Sequence, residues 1–224
     1  MPKTNNKIII AIDGPAGAGK STVAKLIAEK LGFIYIDTGA MYRSLALKVK
    51  RLGLNLENEK KITELAEKTS INLQYHNNKL KVILDNEDVS EEIRKPYITD
   101  RVSEVAKIKE VRKIMTNLQR QFAKNNNCVL EGRDIGTVVF PNAQYKFYLD
   151  ADFTERTKRR FKELKEKKEK IQIMAVEKDL SQRDRIDSTR ETAPLKKAQD
   201  AVYIDSTNLS IQQVVDKISL CIKI

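Results

Sequence analysis

Residues 8–22 read IIIAIDGPAGAGKST, and this stretch decides the fold. The apolar run Ile8–Ile12 predicts a buried strand. Gly14–Ser21 follows and matches the pattern G-x-x-x-x-G-K-[ST]; after it, apolar residues recur at helical spacing up to Gly32. A strand, a glycine-rich turn and a helix in this order are the context that a phosphate-binding loop requires. The stretch therefore predicts a P-loop that opens a helix.

The residue types in this loop suit a nucleoside triphosphate. Glycines let backbone N–H groups point inward as an anion-binding nest, and the following helix adds the positive end of its dipole. Lys20 can reach the β- and γ-phosphates as a point charge, and the Ser21 hydroxyl can hold Mg²⁺. The predicted nucleotide-binding residues are Gly14, Pro15, Ala16, Gly17, Ala18, Gly19, Lys20, Ser21 and Thr22.

Further short apolar runs continue the alternation of strand and helix along the chain. Because helical patterns separate them, they predict an α/β fold in which helices flank a parallel sheet with right-handed crossovers. The predicted strands are Ile8–Asp13, Phe33–Asp37, Cys128–Glu131, Tyr145–Leu149 and Val202–Asp205.

One part of the chain departs from this alternation. Ile71–Tyr75, Leu80–Leu84 and Asp88–Val89 are short and alternating, and they are separated by Asn-Asn and Asp-Asn, which favour tight turns. They predict a small antiparallel sheet inserted into the α/β core. The apolar spacing from Ile98 to Phe122 then predicts a long helix.

The composition indicates one globular core and excludes several kinds of function. The chain has 224 residues, 41% hydrophobic and 33% charged, enough for one domain with an insert. Its longest apolar run is far shorter than the roughly 20 residues of a membrane span. The N-terminal residues lack the apolar stretch of a signal peptide, so we expect a cytoplasmic protein. A single histidine, His76, excludes a multi-histidine metal site, and Cys128 and Cys221 are too few for a disulfide framework or zinc site.

Arginines stand where such a fold binds ligands. Arg43 and Arg133 each follow a predicted strand, at the edge where open α/β sheets bind ligands. On a third segment, Arg183, Asp187 and Arg190 fall within about 60° of one another on a helix. The alternative for this third set is an i,i+4 ion pair on a solvated face. A ligand role is favoured because two phosphorylated substrates held together need several cations, and arginine binds phosphate bidentately.

A P-loop alone does not define the reaction. The N-K-x-D motif of GTPases is absent and the chain is short for a motor ATPase, so a kinase for a small acceptor fits best. The net charge of +11 leaves a nucleic-acid-binding P-loop protein as the alternative. Such a protein would need aromatic residues within a basic stripe, whereas this chain has no Trp and its Tyr and Phe are scattered.

Taken together, these motifs resemble the bacterial cytidylate kinase family nearly from end to end. The P-loop is common to many related families, whereas the block at 131–141 and the antiparallel insert are more specific. The segments that carry the resemblance are 12–22, 37–43, 131–141, the helix with Arg183, Asp187 and Arg190, and 193–195.

The resemblance implies a P-loop NTPase fold with a five-stranded parallel sheet flanked by helices. It implies one kinase domain over residues 1–224, with an acceptor-binding insert at about 60–100 and a helical lid at about 151–190. The implied reaction transfers the γ-phosphate of ATP to CMP or dCMP with Mg²⁺, giving CDP or dCDP and ADP. We expect a monomer that binds neither nucleic acid nor membranes; kinases for UMP, AMP or shikimate are the alternatives.

The resemblance also assigns roles to individual residues. Thr38 corresponds to a Ser or Thr near the acceptor. Three guanidiniums, those of Arg43, Arg133 and Arg190, correspond to the groups on the acceptor phosphate. The sugar pair is Arg183 and Asp187, and the cytosine-reading groups are Ser103, Arg112 and Asp134. Lys20, Arg133, Arg183 and Arg190 are expected to act in catalysis, and Arg156, Arg159 and Arg160 to contribute from the lid.

Three of these assignments have open points. Thr38 could cap its helix, and Asp134 could pair with the neighbouring Arg133. Ser103 and Arg112 lie about 180° apart on an unbroken helix, so both can face one ligand only if the helix breaks. Relatives often carry a proline in this gap, whereas this chain has none between them.

Overall fold

The structure is a computed structural model that describes residues 7–76, 79–166 and 171–223. Its strands are β1 (Ile9–Asp13), β2 (Ile34–Asp37), β3 (Ile71–His76), β4 (Lys79–Leu84), β5 (Glu87–Asp88), β6 (Cys128–Gly132), β7 (Tyr145–Asp150) and β8 (Val202–Asp205). Its α-helices are α1 (Lys20–Leu31), α2 (Thr38–Arg51), α3 (Glu59–Glu67), α4 (Pro96–Lys107), α5 (Lys109–Ala123), α6 (Phe153–Glu166), α7 (Ile173–Thr189) and α8 (Ile211–Cys221).

The described residues pack as two compact units. One comprises the residues up to Ile36 together with those from Phe122 onward, and the other is Asp37–Gln121. The second unit is longer than the insert that the sequence predicts at about 60–100. The predicted single kinase domain, its acceptor-binding insert and its lid remain predictions about how these parts act. Among the described residues, no helix is both long enough and apolar enough to span a membrane.

A five-stranded parallel sheet with the order β2-β6-β1-β7-β8 forms the centre of the first unit, as the sequence predicts. Every residue of β1 is buried, which is typical of a parallel strand covered by helices on both faces. Ile10 and Ile12 of β1 and Phe147 of β7 are among its largest fully buried side chains. The register pairs Asp13 with Gly132, so the P-loop and the 133–134 segment leave adjacent strands at the same edge of the sheet.

The small antiparallel sheet is also confirmed, with the order β3-β4-β5 in the second unit. Asp85 and Asn86, which join β4 to β5, have φ values of 47° and 72°. Positive φ at both central residues is what a tight type I′ hairpin turn requires, and Asn and Asp tolerate it best after Gly. The predicted Asn77-Asn78 turn lies outside the described residues.

The single long helix predicted for Ile98–Phe122 is wrong, because the chain forms two helices there. Ile108 adopts extended backbone angles, φ −67° and ψ 116°, and separates α4 from α5 without a proline. The guanidinium of Arg112 donates to the carbonyl of Ala106 at 3.0 Å. This bond satisfies one of the carbonyls that the end of α4 leaves without a helical partner, which favours the break.

Candidate nucleotide-binding site

The P-loop lies between β1 and α1, where the sequence predicts it. Gly14, Gly17 and Gly19 have positive φ values of 149°, 78° and 89°, which side chains rarely permit. At Gly14 there is a second reason for glycine: a Cβ would lie 1.9 Å from the carbonyl oxygen of Leu149 on β7. The loop therefore needs glycine both for its curvature and for its close approach to the sheet.

Lys20, the first residue of α1, is buried, and its Nζ donates to the carbonyl of Pro15 at 2.6 Å. Burial is the main cause that lowers its pKa to about 7, and Arg133 adds like-charge repulsion, while Glu131 and Asp13 oppose the shift. The charged lysine is thus short of anionic partners within the protein. A phosphate placed beside it would stabilise the ammonium form.

The Ser21 hydroxyl donates to Glu131 Oε1 at 2.6 Å, and the same oxygen accepts from the Tyr35 hydroxyl at 3.2 Å. A hydroxyl beside a carboxylate is an oxygen donor set of the kind that Mg²⁺ prefers. Among the described residues, no group of three His, Cys, Asp or Glu side chains could hold a metal ion alone. Mg²⁺ is usually held by one or two protein oxygens together with phosphates and water.

Three of the predicted acceptor residues meet at one buried carboxylate. Asp187 accepts from Arg133 Nε at 2.8 Å and from Arg190 Nη1 at 3.2 Å. Burial alone would raise the pKa of Asp187, but Arg133 and Arg190 outweigh it and hold the pKa below its usual value. Likewise burial would lower the pKa of Arg133, but Asp187 holds it above its usual value. These guanidiniums are charged and held in fixed positions.

Arg183 takes part differently from the expectation. Its Nη1 lies 3.6 Å from Asp179, one turn earlier on α7, so its i,i+4 ion pair is with Asp179. Burial lowers the pKa of Arg183, and Arg133 and Arg160 add like-charge repulsion, while Asp179 and Asp187 oppose the shift. The carboxylate between two guanidiniums is therefore Asp187 between Arg133 and Arg190.

Asp134 lies at the same edge of the sheet. It is buried, and its Oδ1 is 3.9 Å from Arg190 Nη2, whereas Arg133 donates to Asp187. The residues that follow it, Ile135–Val139, form one π-helical turn. The amides of Ile135 and Gly136 donate to the buried carboxylate of Asp13 at 2.8 and 2.7 Å. Burial raises the pKa of Asp13 to about 6, against the effect of these two hydrogen bonds.

The remaining predicted acceptor residues belong to the unit Asp37–Gln121. Asp37 caps α2 by accepting from the amide of Ala40 at 2.7 Å, so Thr38 is the first helical residue and not the cap. Asp37 also accepts from Arg43 Nη2 at 2.9 and 3.1 Å, and Arg94 Nη2 lies 3.7 Å from it. The buried Nε of Arg43 has no hydrogen-bond partner within the described part of the chain.

Ser103 and Arg112 are both buried in this unit. The Arg112 guanidinium lies over the Tyr42 ring, 5.4 Å from its centroid. Because the helix breaks at Ile108, the separation of about 180° that an unbroken helix would impose on Ser103 and Arg112 does not apply.

The arginines of α6 have different partners. Arg156 is buried, donates to the Ala16 carbonyl at 2.9 Å and pairs with Asp184 of α7 at 2.5 Å. Arg159 donates to the carbonyls of Ser206 and Thr207 at 2.7 and 3.3 Å. Arg160 pairs with Glu163 at 2.7 Å. Arg156 and Arg159 thus tie α6 to the P-loop and to the segment after β8, and Arg160 is the least engaged of the three.

Sequence reasoning missed Asp13 and Asp184, which hold backbone groups at the site. The amide of Ala16 donates to Asp184 at 3.3 Å, and Asp13 holds the turn after Asp134. A carboxylate that ends an otherwise apolar strand, as Asp13 does, was a signal that could have been used. Asp184 carried no comparable signal, because it stands in a run of charges.

Comparisons with known proteins show which family this chain is similar to. The family model described as cytidylate kinase matches residues 10–223. The cytidylate kinase of Caldanaerobacter subterraneus subsp. tengcongensis is 51% identical over 214 residues, covering 96% of this chain and 94% of its own length. That of Alkaliphilus oremlandii is 52% identical over 209 residues, with 93% and 94% covered.

One solved structure supports the fold alone. An uncharacterized protein from Eubacterium ventriosum aligns with a TM-score of 0.52 at 15% identity, covering 96% of this chain and 98% of that one. The family match over nearly the whole chain and the relatives at about half identity are the stronger findings. This chain belongs to the cytidylate kinase family.

Proposed function

We propose that this protein transfers the γ-phosphate of ATP to CMP or dCMP, giving ADP and CDP or dCDP. One observation carries the proposal: a buried carboxylate, Asp134, lies 3.9 Å from the Arg190 guanidinium at the sheet edge where the P-loop begins. A group that can read a base thus stands beside groups that can bind a phosphate. The names of the relatives, cytidylate kinase, support the same substrate class.

On the donor side, residues 14–22 bind the ATP phosphates. The backbone N–H groups of the loop and the N-terminus of α1 face the negative charge. Lys20 leaves the Pro15 carbonyl and binds the β- and γ-phosphates, which restores its charge. Ser21, with Glu131 behind it, would hold Mg²⁺, which would neutralise charge on the β- and γ-phosphates.

On the acceptor side, the residues sort by the part of the nucleotide that they bind. The acceptor phosphate is bound by Arg43, Arg133 and Arg190, and Thr38 lies near it. The sugar is bound by Arg183 and Asp187. The cytosine ring is read by Ser103, Arg112 and Asp134. The predicted lid, which includes α6 and α7, closes over the phosphates, and Arg160 of α6 contributes charge.

The transfer itself needs no general base. An acceptor phosphate oxygen attacks the γ-phosphorus in line, the bond from that phosphorus to the β-phosphate oxygen breaks, and ADP leaves. Phosphomonoesters have a second pKa of about 6, so the attacking oxygen is already ionised at neutral pH. Catalysis is therefore positioning and charge stabilisation, by Lys20 and the guanidiniums of Arg133, Arg183 and Arg190.

Base selection follows from the chemistry of Asp134. Its carboxylate can accept from the 4-amino group of cytosine, as carboxylates do in base recognition. Uracil has a carbonyl at that position, so two acceptors would face each other. A site built to hydrogen-bond a donor discriminates strongly against an analogue that lacks it.

We further infer that the protein acts as a monomer in the cytoplasm.

A coupled ADP-release assay with CMP, dCMP, UMP and AMP tests the proposal. We expect turnover with CMP and dCMP well above that with UMP and AMP. Asp134→Ala should lower the ratio of kcat/KM for CMP to that for UMP by at least about tenfold, the scale of one lost discriminating contact. The matched control is Glu177→Gln at an exposed position of α7, which should leave the ratio unchanged. Equal rates with all acceptors would contradict the proposal.

A further inference from the structure

Asp13 is a buried carboxylate that the proposed chemistry leaves without a role. It ends β1 directly before the P-loop, yet its two oxygens are directed to another segment. Oδ1 accepts from the amide of Ile135 and Oδ2 from the amide of Gly136, at 2.8 and 2.7 Å. One side chain thus satisfies two successive backbone donors of the turn that follows Asp134.

The peptide group between Asp134 and Ile135 is consequently held at both ends. Its N–H donates to Asp13, and its carbonyl accepts from the amides of Val138 and Val139 at 2.9 and 3.1 Å. A peptide plane bound on both sides cannot rotate without breaking buried hydrogen bonds. The Cα of Asp134 lies in this plane, so the same bonds fix the point from which its side chain extends and restrict its direction.

The far side of the turn is held equally closely. A Cβ added to Gly136 would lie 3.4 Å from Asp13 Oδ2 and 3.2 Å from Lys146 Cδ. Lys146 is itself buried and pairs with Asp200 at 2.7 Å. The turn therefore lies between Asp13 and Lys146. Of these two side chains, Asp13 is the one that accepts from the backbone amides of the turn.

We propose that Asp13 is a positioning residue that sets the preference for cytosine by fixing the direction of Asp134. This inference rests on the proposed function, in which Asp134 reads the base. Asp13 does not touch the substrate. It acts through the backbone of residues 135 and 136. We expect it to affect which acceptor nucleotide is used and not the binding of ATP.

The proposal depends on the carboxylate and not merely on the size of the side chain. A carboxylate accepts at both oxygens, whereas an amide of the same shape accepts at one and donates at the other. In Asp13→Asn one buried backbone N–H would face an amide N–H. A buried donor left without an acceptor is costly, so the turn should shift to relieve it.

The test compares kcat/KM for CMP and UMP in the full-length protein. Both nucleotides carry the same phosphate and ribose, so their ratio isolates the reading of the base. We expect Asp13→Asn to lower the CMP-to-UMP ratio about tenfold, with the KM for ATP changed by less than about threefold. The double variant with Asp134→Ala should show no further loss of the ratio than Asp134→Ala alone, because both act on one contact.

Asp184→Asn is the matched control. Asp184 also accepts from a backbone amide, that of Ala16 in the P-loop, but it does not hold the turn after Asp134. We expect it to leave the CMP-to-UMP ratio unchanged while altering the KM for ATP. If Asp13→Asn fails to fold, Asp13→Ser, which keeps one acceptor in a smaller volume, is measured with the same expectations.

The outcomes separate this inference from the proposed function. If Asp134→Ala lowers the ratio and the Asp13 variant does not, the positioning role is wrong and the proposed function stands. If Asp134→Ala leaves the ratio unchanged, the assignment of base reading is wrong, and the inference fails with it. An Asp13 variant that lowers activity equally with both nucleotides indicates a general structural role and also overturns the inference.

Discussion

At the scale of single residues, the site places buried cations where the protein itself supplies too few anions. Burial is the main cause that lowers the pKa of both Lys20 and Arg183, and Lys20 Nζ donates to a neutral acceptor, the Pro15 carbonyl, at 2.6 Å. Burial of positive charge without full compensation is unfavourable in the free protein. Phosphates supply the missing negative charge, so part of the binding free energy of a nucleotide comes from relieving this deficit.

Replacing Lys20 tests this view most directly. Lys20→Ala should lower kcat by about 10²–10³, because it removes a cation at the position where charge develops in the transition state. The dissociation constant of CMP should change by less than about threefold, since the proposed role of Lys20 is toward ATP. Steady-state kinetics and calorimetric titration with CMP measure the two quantities.

Lys25→Ala provides the control for this variant. Lys25 is exposed on the same helix and lies 3.9 Å from Glu29. It should retain wild-type turnover. A Lys20→Ala protein with near-normal turnover would show that the assigned role is wrong.

The sequence predicted the residues of the site better than their partners. The P-loop was predicted from motif spacing, Arg133 from its place after a strand, and Asp187 with Arg190 from helix periodicity. The pairing of Arg183 with Asp179 could not, because Asp179 and Asp187 lie at the same spacing on either side of it. Asp37, and not Thr38, caps α2. The sequence could not distinguish the two, because both neighbouring residues have a side chain that can cap a helix. The ligand roles of these residues remain predictions.

At the scale of elements, α6 and α7 both contact Ala16 of the nucleotide loop. The methyl group of Ala16 belongs to the buried apolar cluster formed by Leu164 of α6 and by Val176 and Leu180 of α7. Its carbonyl accepts from Arg156, and its amide donates to Asp184. Both backbone groups and the side chain of Ala16 therefore contact the helices of the predicted lid. A ligand that moves this part of the loop acts directly on both helices.

The neighbouring glycine should be correspondingly sensitive. A Cβ at Gly17 would lie 3.1 Å from both Cβ and the carbonyl oxygen of Arg156, and φ is 78°. Gly17→Ala thus adds a contact with α6 to a backbone strain of roughly 1–2 kcal/mol. We expect a lower free energy of unfolding by urea and weaker ATP binding.

The strain alone is measured by Gly32→Ala. Gly32 ends α1 with φ 66°, and a Cβ there would have no atom within 4 Å among the neighbours considered. In Gly32→Ala the free energy of unfolding should fall only by the backbone strain, and the affinity for ATP should be unchanged. Equal losses of stability and affinity in the two variants would contradict the contact between loop and helix.

Element boundaries show the same limits of sequence reasoning. Predicted strands agree with the structure to within one residue at each end, because buried apolar runs end where polar residues begin. The break at Ile108 was not predicted, since the apolar spacing continues through it and no proline marks it. What permits the break is a bond from Arg112 to Ala106, a contact that periodicity does not report.

At the scale of the whole molecule, burial of Asp13 lowers the folding stability by an amount that depends on pH. Asp13 has a pKa of about 6 in the folded protein, mainly through burial, against 3.8 for an ordinary aspartate. The folded state therefore binds the proton more tightly than the unfolded state does. Between these two values, stability must fall as pH rises, because the folded state holds more protons. Above about pH 6 both states are ionised at this residue, and its penalty is constant.

This pH dependence can be measured as the difference in unfolding free energy between wild type and Asp13→Asn, which does not titrate at this position. From pH 4 to pH 7 the wild type should lose on the order of 2–3 kcal/mol relative to the variant, at about 1.4 kcal/mol per unit of pKa shift. Urea unfolding at half-unit pH intervals gives the difference. Asp216→Asn, at an exposed position of α8, controls for the loss of one carboxyl group. If the wild type instead gained stability relative to Asp13→Asn over this range, the carboxylate would be favoured by folding. The hydrogen bonds from Ile135 and Gly136 would then outweigh its burial, because such bonds stabilise the ionised form.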